Sequence, residues 1–381
     1  MRFPLFLTVV LLVLAAACAY MGGRTLALSP AAAAHPALVW GVLALFVGLL
    51  FGVSALGRVR ALRPWRPFLT ALSYGLFGFM ATYLLYLAAA DLLQALAGAL
   101  TGIRAGPWLV PLAAAAALGS ELAGLATALR PASVRRVEVP IRDLPPGLDG
   151  FRIVQISDLH LGPLVRRAQV DHILAATAAL APDLVAVTGD LVDGSPDGEV
   201  GDQARRLGAL RATHGVCFVT GNHEYYSGVS RWLEVFRDLG WRVLHNEHLL
   251  VEHGGARLAV AGMPDPTART HPAGGPGPDL ARALAGMPPD AVPILLYHPP
   301  TGTAAAERAG VRLQLSGHTH GGQFFPWSVV VQRLYAHPAG LGKQGGMWIY
   351  TSVGTGFWGT PNRFLVPSEL TLLVLRRAAQ D

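Results

Sequence analysis

Cysteine is nearly absent. Cys18 and Cys217 are the only two in 381 residues, and they stand far apart in regions of different character. That excludes a disulfide framework and a cysteine-built metal knuckle. Charge is scarce as well: Asp, Glu, Lys and Arg make up 14% of the chain, and mean hydropathy is +0.41. Soluble domains carry about 25% charged residues, so a wholly soluble protein is excluded. So apolar a composition, without a Gly-X-Y repeat, also excludes disorder and collagen-like structure. Acids are missing above all from the first third. Residues 1–136 hold 10 Arg against two acids, Asp91 and Glu121, a net of +8; residues 137–381 hold 20 basic and 22 acidic residues, a net of −2. The pI of 9.7 therefore belongs to the apolar third. A nucleic-acid binder carries its positive charge on the folded part that docks. Here that part is slightly acidic, so nucleic acid is not an expected partner.

What the first third does have is long hydrophobic runs. Four of them, Phe3–Met21, Ala37–Leu56, Phe68–Ala89 and Trp108–Ala128, have about the length that spans a bilayer, roughly 20 residues. Arg2, Arg58, Arg60, Arg63, Arg66, Arg130, Arg135 and Arg136 fall on one side of these runs, and Arg24 and Arg104 on the other. The positive-inside rule predicts a four-helix transmembrane region, 1–136, in a multi-pass inner-membrane protein. It puts the N-terminus and everything after Arg130 in the cytoplasm. A reporter fused after residue 136 and active only outside the cytoplasm would overturn that orientation. If the first run is instead a signal peptide, with Cys18 following Ala15, Ala16 and Ala17, three spans remain and the orientation is unchanged. Glu121 lies inside the fourth run and Asp91 closes the third. No ladder of further charges accompanies them, so a helix–helix hydrogen bond is expected at Glu121 rather than a transport path, and Asp91 is expected at the interface.

About 245 residues follow, enough for one domain with a large core. Arg152–Ser157, Leu184–Thr188, Val216–Thr220, Ile294–Tyr297 and Leu313–Ser316 are short, apolar, β-rich runs, each ending in polar, Gly- or His-containing residues. Helical stretches such as Val170–Leu180 and Gln203–Thr213 separate the first three. This alternation predicts βαβ units whose ligands sit beyond the carboxyl ends of the strands. Leu258–Ala261, Trp348–Thr351 and Leu370–Leu375 are expected to form a second, partly antiparallel sheet, and the segment 263–278, with five Pro and three Gly, a loop.

The motifs sit at the strand ends: Asp158-Leu159-His160, Gly189-Asp190, Gly221-Asn222-His223-Glu224, His298, and Gly317-His318-Thr319-His320. Together they supply two Asp, one Asn and five His, an inventory suited to a pair of borderline divalent metals with nitrogen and oxygen ligands. Two such ions about 3.5–4 Å apart need a bridging carboxylate, stabilise attacking and leaving oxygens at phosphorus, and ionise a bound water near neutral pH. A nearby His can protonate the leaving alkoxide. In extended backbone, Asp-x-His and His-x-His would point both side chains to one face. Each pair alone is weak evidence; five in order at strand ends are strong.

The run Ser157–His160 (SDLH), Thr188–Asp193 (TGDLVD), Gly221–Glu224 (GNHE), His298 and Ser316–Gln323 (SGHTHGGQ) resembles the calcineurin-like metallophosphoesterase superfamily. The GHTHGGQ ending and the tail through PSELTLL resemble more narrowly the bacterial membrane-associated phosphoesterases of the YkuE and YaeI type. The resemblance covers about Arg152 to Leu375 and leaves out the apolar third. It implies an α/β fold, a four-layer αββα sandwich, for the domain spanning 137–381 that the arginine distribution puts in the cytoplasm. It implies one metal held by Asp158, His160, Asp190 and His320, and a second held by Asp190, Asn222, His298 and His318, with His223 as the catalytic proton donor. The ions would be two of Mn, Fe or Zn. The expected function is membrane-anchored hydrolysis of a phosphodiester, phosphomonoester or pyrophosphate bond in a phosphorylated small-molecule or lipid-linked substrate. The alternative is a membrane receptor or transporter whose domain binds a phosphorylated ligand without cleaving it, which would have no use for the leaving-group donor.

Other residues admit plainer roles. Asp193 could orient His223 or cap a turn; Glu224 is expected to be structural; Gln323 could touch substrate or serve its turn. His172, His214, His245, His248, His253, His271 and His337 lack a constellation and are expected on the surface or packed. Tyr225, Tyr226, Trp232, Phe324, Phe325, Trp327, Phe357 and Trp358 cluster near the motifs, as core packing between sheets or as an apolar wall.

Overall fold

The computed structural model describes residues 3–56, 64–102 and 108–378. Arg2, Arg58, Arg60, Arg63 and Arg104, on which the expected orientation rests, lie outside the described residues. The chain divides into two compact units, one of Met1–Ala126 with Gly359–Asn362, the other of Thr127–Trp358 with Arg363–Asp381.

The first unit is helical: α1 (Phe3–Leu28), α2 (Pro30–Ala33), α3 (Pro36–Leu56), α4 (Arg66–Thr101) and α5 (Leu109–Ala128). Pro30 and Pro36 open their helices, where a missing N–H costs nothing. Among the described residues three stretches are long and apolar enough to cross a membrane, Thr8–Leu28, Pro67–Thr101 and Leu109–Ala128, while Pro36–Gly52 is a shorter apolar helix. The expected count of four is therefore not reached among them. The expected third run, Phe68–Ala89, is the start of a much longer helix. α4 continues through Asp91 because that carboxylate accepts hydrogen bonds from the Tyr20 hydroxyl (2.6 Å) and from Arg24 Nε (2.7 Å) of α1. Glu121 of α5 accepts from Thr82 Oγ1 of α4 at 3.0 Å, the helix–helix bond expected of it, and from Asn362 Nδ2 at 2.8 Å.

The second unit is built on two six-stranded sheets. The strands run β1 (Ser133–Ile141), β2 (Arg152–Ile156), β3 (Leu184–Val187), β4 (Val216–Phe218), β5 (Arg242–Val243), β6 (Glu247–His253), β7 (Ala256–Gly262), β8 (Val292–Leu296), β9 (Leu313–Ser316), β10 (Gly340–Gln344), β11 (Met347–Thr351) and β12 (Glu369–Arg377). The first sheet has the order β1-β12-β2-β3-β4-β5 and the second β10-β11-β9-β8-β7-β6. Helices α6 (Arg167–Ala179), α7 (Glu199–Arg206), α8 (Asn222–Tyr226) and α9 (Val229–Asp238) come from connections of the first half, and α10 (Leu280–Leu284), α11 (Thr303–Arg308) and α12 (Trp327–Leu334) from the second.

Alternation along the strands sorts the side chains into layers. In β3, Val185 and Val187 join a core with Ile173 of α6 and Trp232 and Phe236 of α9, while Leu184 and Ala186 join one shared with Leu258, Ile294 and Leu315 of the second sheet. In β8, Leu295 faces outward to Ala283 of α10 and Ala306 of α11. The result is helix, sheet, sheet, helix. Strands covered on both faces read as unbroken apolar runs, which is why they were visible in the sequence.

Two expectations are corrected. Leu370–Leu375 does not belong to the second sheet. β12 lies inside the first, parallel to β1 and antiparallel to β2. Its Leu370 and Leu372 enter the helix-side core and its Leu373 and Leu375 the inter-sheet core, so both faces need the cover of an interior position. The helix expected over Gln203–Thr213 is α7 followed by a 3-10 turn, Leu207–Ala209, with Gly208 in the turn weakening its continuation.

Candidate metal centre

Strands β2, β3 and β4 are parallel in one sheet, β8 and β9 in the other, and the expected residues lie just past their carboxyl ends. The backbone there is not extended. Asp158, His160, Asp190, His318 and His320 have φ of 53°, 50°, 51°, 72° and 50°. The left-handed region costs a non-glycine residue about 1–3 kcal/mol, and it persists only where surroundings impose it. The expectation that extended pairs aim both side chains to one face is thus overturned: left-handed turns aim them, and His318 and His320 go to different clusters. Hydrogen bonds between loops hold the turns, Asp158 N to Gly189 O at 3.0 Å and His160 N to Asp190 O at 3.1 Å. Carboxylates pin them further: Asp158 Oδ1 accepts from His318 N (2.9 Å) and Asp190 Oδ1 from His223 N (2.8 Å). Two glycines make room. A Cβ at Gly317 would run into the Asp158 carboxylate and the Ser157 hydroxyl, and one at Gly221 into the Asp190 carboxylate.

The side chains gather in adjoining clusters, Asp158 with His160 and His320, and Asp190 with His298 and His318. Within each, one ligand atom per residue lies within 4.8 Å of the others. His160 Nε2 is 3.1 Å from His320 Nε2, which is 3.4 Å from Asp158 Oδ1. His298 Nε2 is 3.3 Å from His318 Nδ1. Asp190 Oδ2 stands between the clusters, 3.1 Å from His298 Nε2 and 3.9 Å from His160 Nε2. Asn222 Oδ1 is buried without a hydrogen-bond partner, the mark of an acceptor built for something other than a protein donor.

The outer nitrogens of two imidazoles are already committed. His298 Nδ1 faces Thr188 O at 2.7 Å and His160 Nδ1 faces Asp193 Oδ2 at 3.1 Å, so each carries its proton outward and turns Nε2 into the cluster. Burial opposes charge on Asp190, but the facing His298, with His160 and His223, outweighs it and holds the carboxyl well below its ordinary range. Burial likewise opposes protonation of His298 and His160, and Asp190 and Asp193 respectively outweigh it, so both imidazoles are raised. These carboxylates demand positive charge between them. Burial, then Arg363, pushes His320 well below its usual value, and burial, then His298, lowers His318, leaving them neutral as ligands must be. A neutral-imidazole, carboxylate and amide donor set with one orphaned oxygen fits borderline divalent cations.

Four further residues complete the site. Asp193 bridges two imidazoles, its Oδ1 lying 2.5 Å from His223 Nδ1 and its Oδ2 on His160, so it orients His223 rather than merely capping a turn. Glu224 is structural as expected. Its buried carboxylate accepts from Gly221 N (2.6 Å), Leu191 N (2.7 Å) and Asp190 N (3.0 Å), tying two motif loops together. Burial, then the charge of Asp190, pushes it up to about 7. Gln323 pins the backbone of Trp358 from both sides, accepting from its N (2.7 Å) and donating to its O (2.9 Å). Arg363, fully buried, donates to Val353 O (2.7 Å) and Gly356 O (3.0 Å) and lies 3.2 Å from His320 Nδ1. No motif announced it; the one signal is a lone arginine in the apolar tail that precedes β12. Of the other histidines, His172 lies against Ala132 O, His248 against Ala283 O, His214 against His253 and His245 against the Tyr225 hydroxyl.

This fold and donor array are those of a metallophosphoesterase. The model of the calcineurin-like phosphoesterase family matches residues 151–322, a stretch that contains every clustered residue. "Transmembrane protein with metallophosphoesterase domain" from Bos taurus is 39% identical over 68% of this chain and 60% of its own length. "Uncharacterized metallophosphoesterase YkuE" from Bacillus subtilis (strain 168) is 30% identical over 66% of this chain and 89% of its own. An "Uncharacterized metallophosphoesterase" from Aquifex aeolicus (strain VF5) is 31% identical over 64% and 91%. The chain belongs to the calcineurin-like phosphoesterase family. It spans about 60% of the length of the cattle relative.

Asp193→Asn is expected to lower kcat about 10–100-fold on diesters with an alkyl leaving group. The loss should be smaller on p-nitrophenyl esters, whose leaving group needs no proton. Equal losses on both would show that Asp193 acts through His160 rather than His223.

Proposed function

We propose that this chain is a membrane-anchored, binuclear, metal-dependent phosphoesterase that hydrolyses a phosphodiester, phosphomonoester or pyrophosphate bond, with residues 137–381 as its cytoplasmic catalytic domain. The observation that carries it is Asp190 Oδ2 between two His-and-Asp clusters, beside the unpartnered Asn222 Oδ1. Asp158, His160, Asp190 and His320 would hold one cation, and Asp190, Asn222, His298 and His318 the other, with Mn, Fe and Zn all suited to the donors. Bound there, two divalent cations supply charge for phosphoryl oxygens and a water nucleophile that ionises near neutral pH.

The chain's own part is positioning and proton delivery. His223 stands at the rim of the clusters, its ring 4.6 Å from that of His160. With Nδ1 held by Asp193, Nε2 is the nitrogen that gives its proton to the leaving oxygen as the P–O bond breaks. A domain that only bound phosphate would have no use for that donor. The apolar helices support a substrate found at the bilayer, and a lipid-linked phosphodiester or pyrophosphate is the first choice. The test is full-length protein stripped of metal by chelation and assayed on bis-p-nitrophenyl phosphate before and after Mn²⁺ is restored. Activity should return together with two ions per chain. Folded, metal-loaded protein that cleaves neither this diester nor p-nitrophenyl phosphate would sink the reading.

A further inference from the structure

We infer that Tyr226 and Trp358 form a subsite for a planar, aromatic leaving group. Of the aromatics near the motifs, Tyr225, Trp232, Phe324 and Phe357 are buried in the core, whereas Tyr226 is 66% exposed and Trp358 54%. Both open rings meet the same side chain. Tyr226 lies 5.4 Å from the His223 ring at 68° and Trp358 5.8 Å from it at 76°. Tyr226 ends α8, the helix that carries Asn222 and His223; Trp358 comes from the loop after β11. Two unrelated segments thus deliver an exposed ring to one imidazole.

Trp358 is held where it stands. The Gln323 amide bonds its backbone N–H and C=O together, and Gln323 itself is fixed in a left-handed conformation (φ 61°) in the loop that carries His320. A large aromatic immobilised in an exposed position gains little within the free protein, and its gain comes on covering a ligand. The inference rests on His223 as proton donor: the group that departs beside His223 is the group that meets these rings. An alkyl chain gains from burial against any apolar residue, whereas Trp and Tyr flanking a polar His–Asp pair add stacking for a flat ring carried by an alcohol leaving group, such as the base of a nucleoside or a benzylic ring. Stacking of one base on an aromatic side chain changes affinity about 5- to 150-fold.

The test uses full-length, Mn²⁺-loaded protein in detergent and two probes of equal charge and nearly equal size, benzylphosphonate and cyclohexylmethylphosphonate, with Kd measured by calorimetry. In each the one organic group stands where a leaving group stands. The expected result is about tenfold tighter binding of the benzyl compound. That preference should be lost in Trp358→Leu and largely kept in Trp358→Phe, with Tyr226→Leu as the second variant should Trp358→Leu misfold. Equal affinities, a cyclohexylmethyl preference, or a benzyl preference that survives both leucine variants overturns the subsite. Hydrolysis of bis-p-nitrophenyl phosphate, followed in parallel, separates the two readings. Selective binding without hydrolysis keeps an aromatic subsite beside His223 but sinks the esterase and with it the leaving-group assignment; hydrolysis without selectivity keeps the esterase and overturns the subsite.

Discussion

Asp190→Asn is expected to lower Mn²⁺-dependent hydrolysis of bis-p-nitrophenyl phosphate about a thousandfold or more, and to reduce bound metal from two ions per chain to one or none. A thousandfold is about 4 kcal/mol of transition-state stabilisation. The substitution is nearly isosteric, so what it removes is charge. Asp190 Oδ2 faces an imidazole of each cluster, at 3.1 and 3.9 Å, while Oδ1 accepts the His223 N–H. Asparagine can keep the bond to His223 and so leave the loop standing, but one amide oxygen cannot neutralise two divalent cations. Its NH2 group would instead meet an imidazole nitrogen turned inward. Metal analysis and circular dichroism on the same sample tell loss of ions from loss of fold. A folded variant that keeps both ions and near-normal turnover would show that Asp190 does not bridge them.

The residues that gather in the clusters were legible because each follows closely on a strand rich in apolar residues. β3, β4 and β8 are covered on both faces and unbroken, and β2 and β9 are interrupted inside only by one buried glutamine each, Gln155 and Gln314, so the polar residues beyond the strands stand out. What aims those residues was not legible. Nothing local in Asp158 or His320 announces a left-handed backbone; the turns are imposed by bonds from loops as distant as Gly189 O and by the space left at Gly317 and Gly221. Asp193 was ambiguous for a related reason. Its two histidines come from other segments: the pairing of Leu161 with Val192 sets it beside His160, and α8 after β4 brings His223 to it. β12 was misplaced because strand order in a sheet is not written in any one strand. A C-terminal apolar run looks alike at an edge or between two neighbours. Gln323 and Trp358 illustrate the limit most plainly, since a side-chain amide that bonds a backbone 35 residues away carries no periodic signal.

Arg363→Met is expected to cost the catalytic domain about 2–4 kcal/mol and to weaken metal binding about 10–100-fold. At about 2–4 °C per kcal/mol for a domain of this size, the melting temperature should fall by about 5–15 °C. Arg363 is fully buried, and burial pushes it down only to about 10, so it is charged at neutral pH. Among the described residues no carboxylate forms an ion pair with it, though the charges of Asp158 and Glu369 favour its charged form; its donors go to Val353 O and Gly356 O, and it lies beside the His320 ring. Two effects compete. Methionine removes the standing cost of a buried charge, which favours the variant. It also strips donors from acceptors that cannot turn away, because the segment Val353–Gly356 is held by bonds from Thr355 N to Ser157 O (2.7 Å) and from Gly356 N to Asp158 O (3.1 Å). Gly356 O keeps the Ser368 hydroxyl at 3.0 Å, so Val353 O is the acceptor left bare, and the His320 ring loses the neighbour at its outer edge. An orphaned buried acceptor costs about 1–3 kcal/mol, and bonds from a charged donor are the strong ones, so the loss wins. Arg363→Lys should recover the charge but little of the metal affinity, since one ammonium cannot bridge two separate carbonyls and pack beside the His320 ring as the planar guanidinium does. If Arg363→Met melts like wild type and binds Mn²⁺ as tightly, the arginine neither braces the turn nor orients His320, and the ring is held by packing alone.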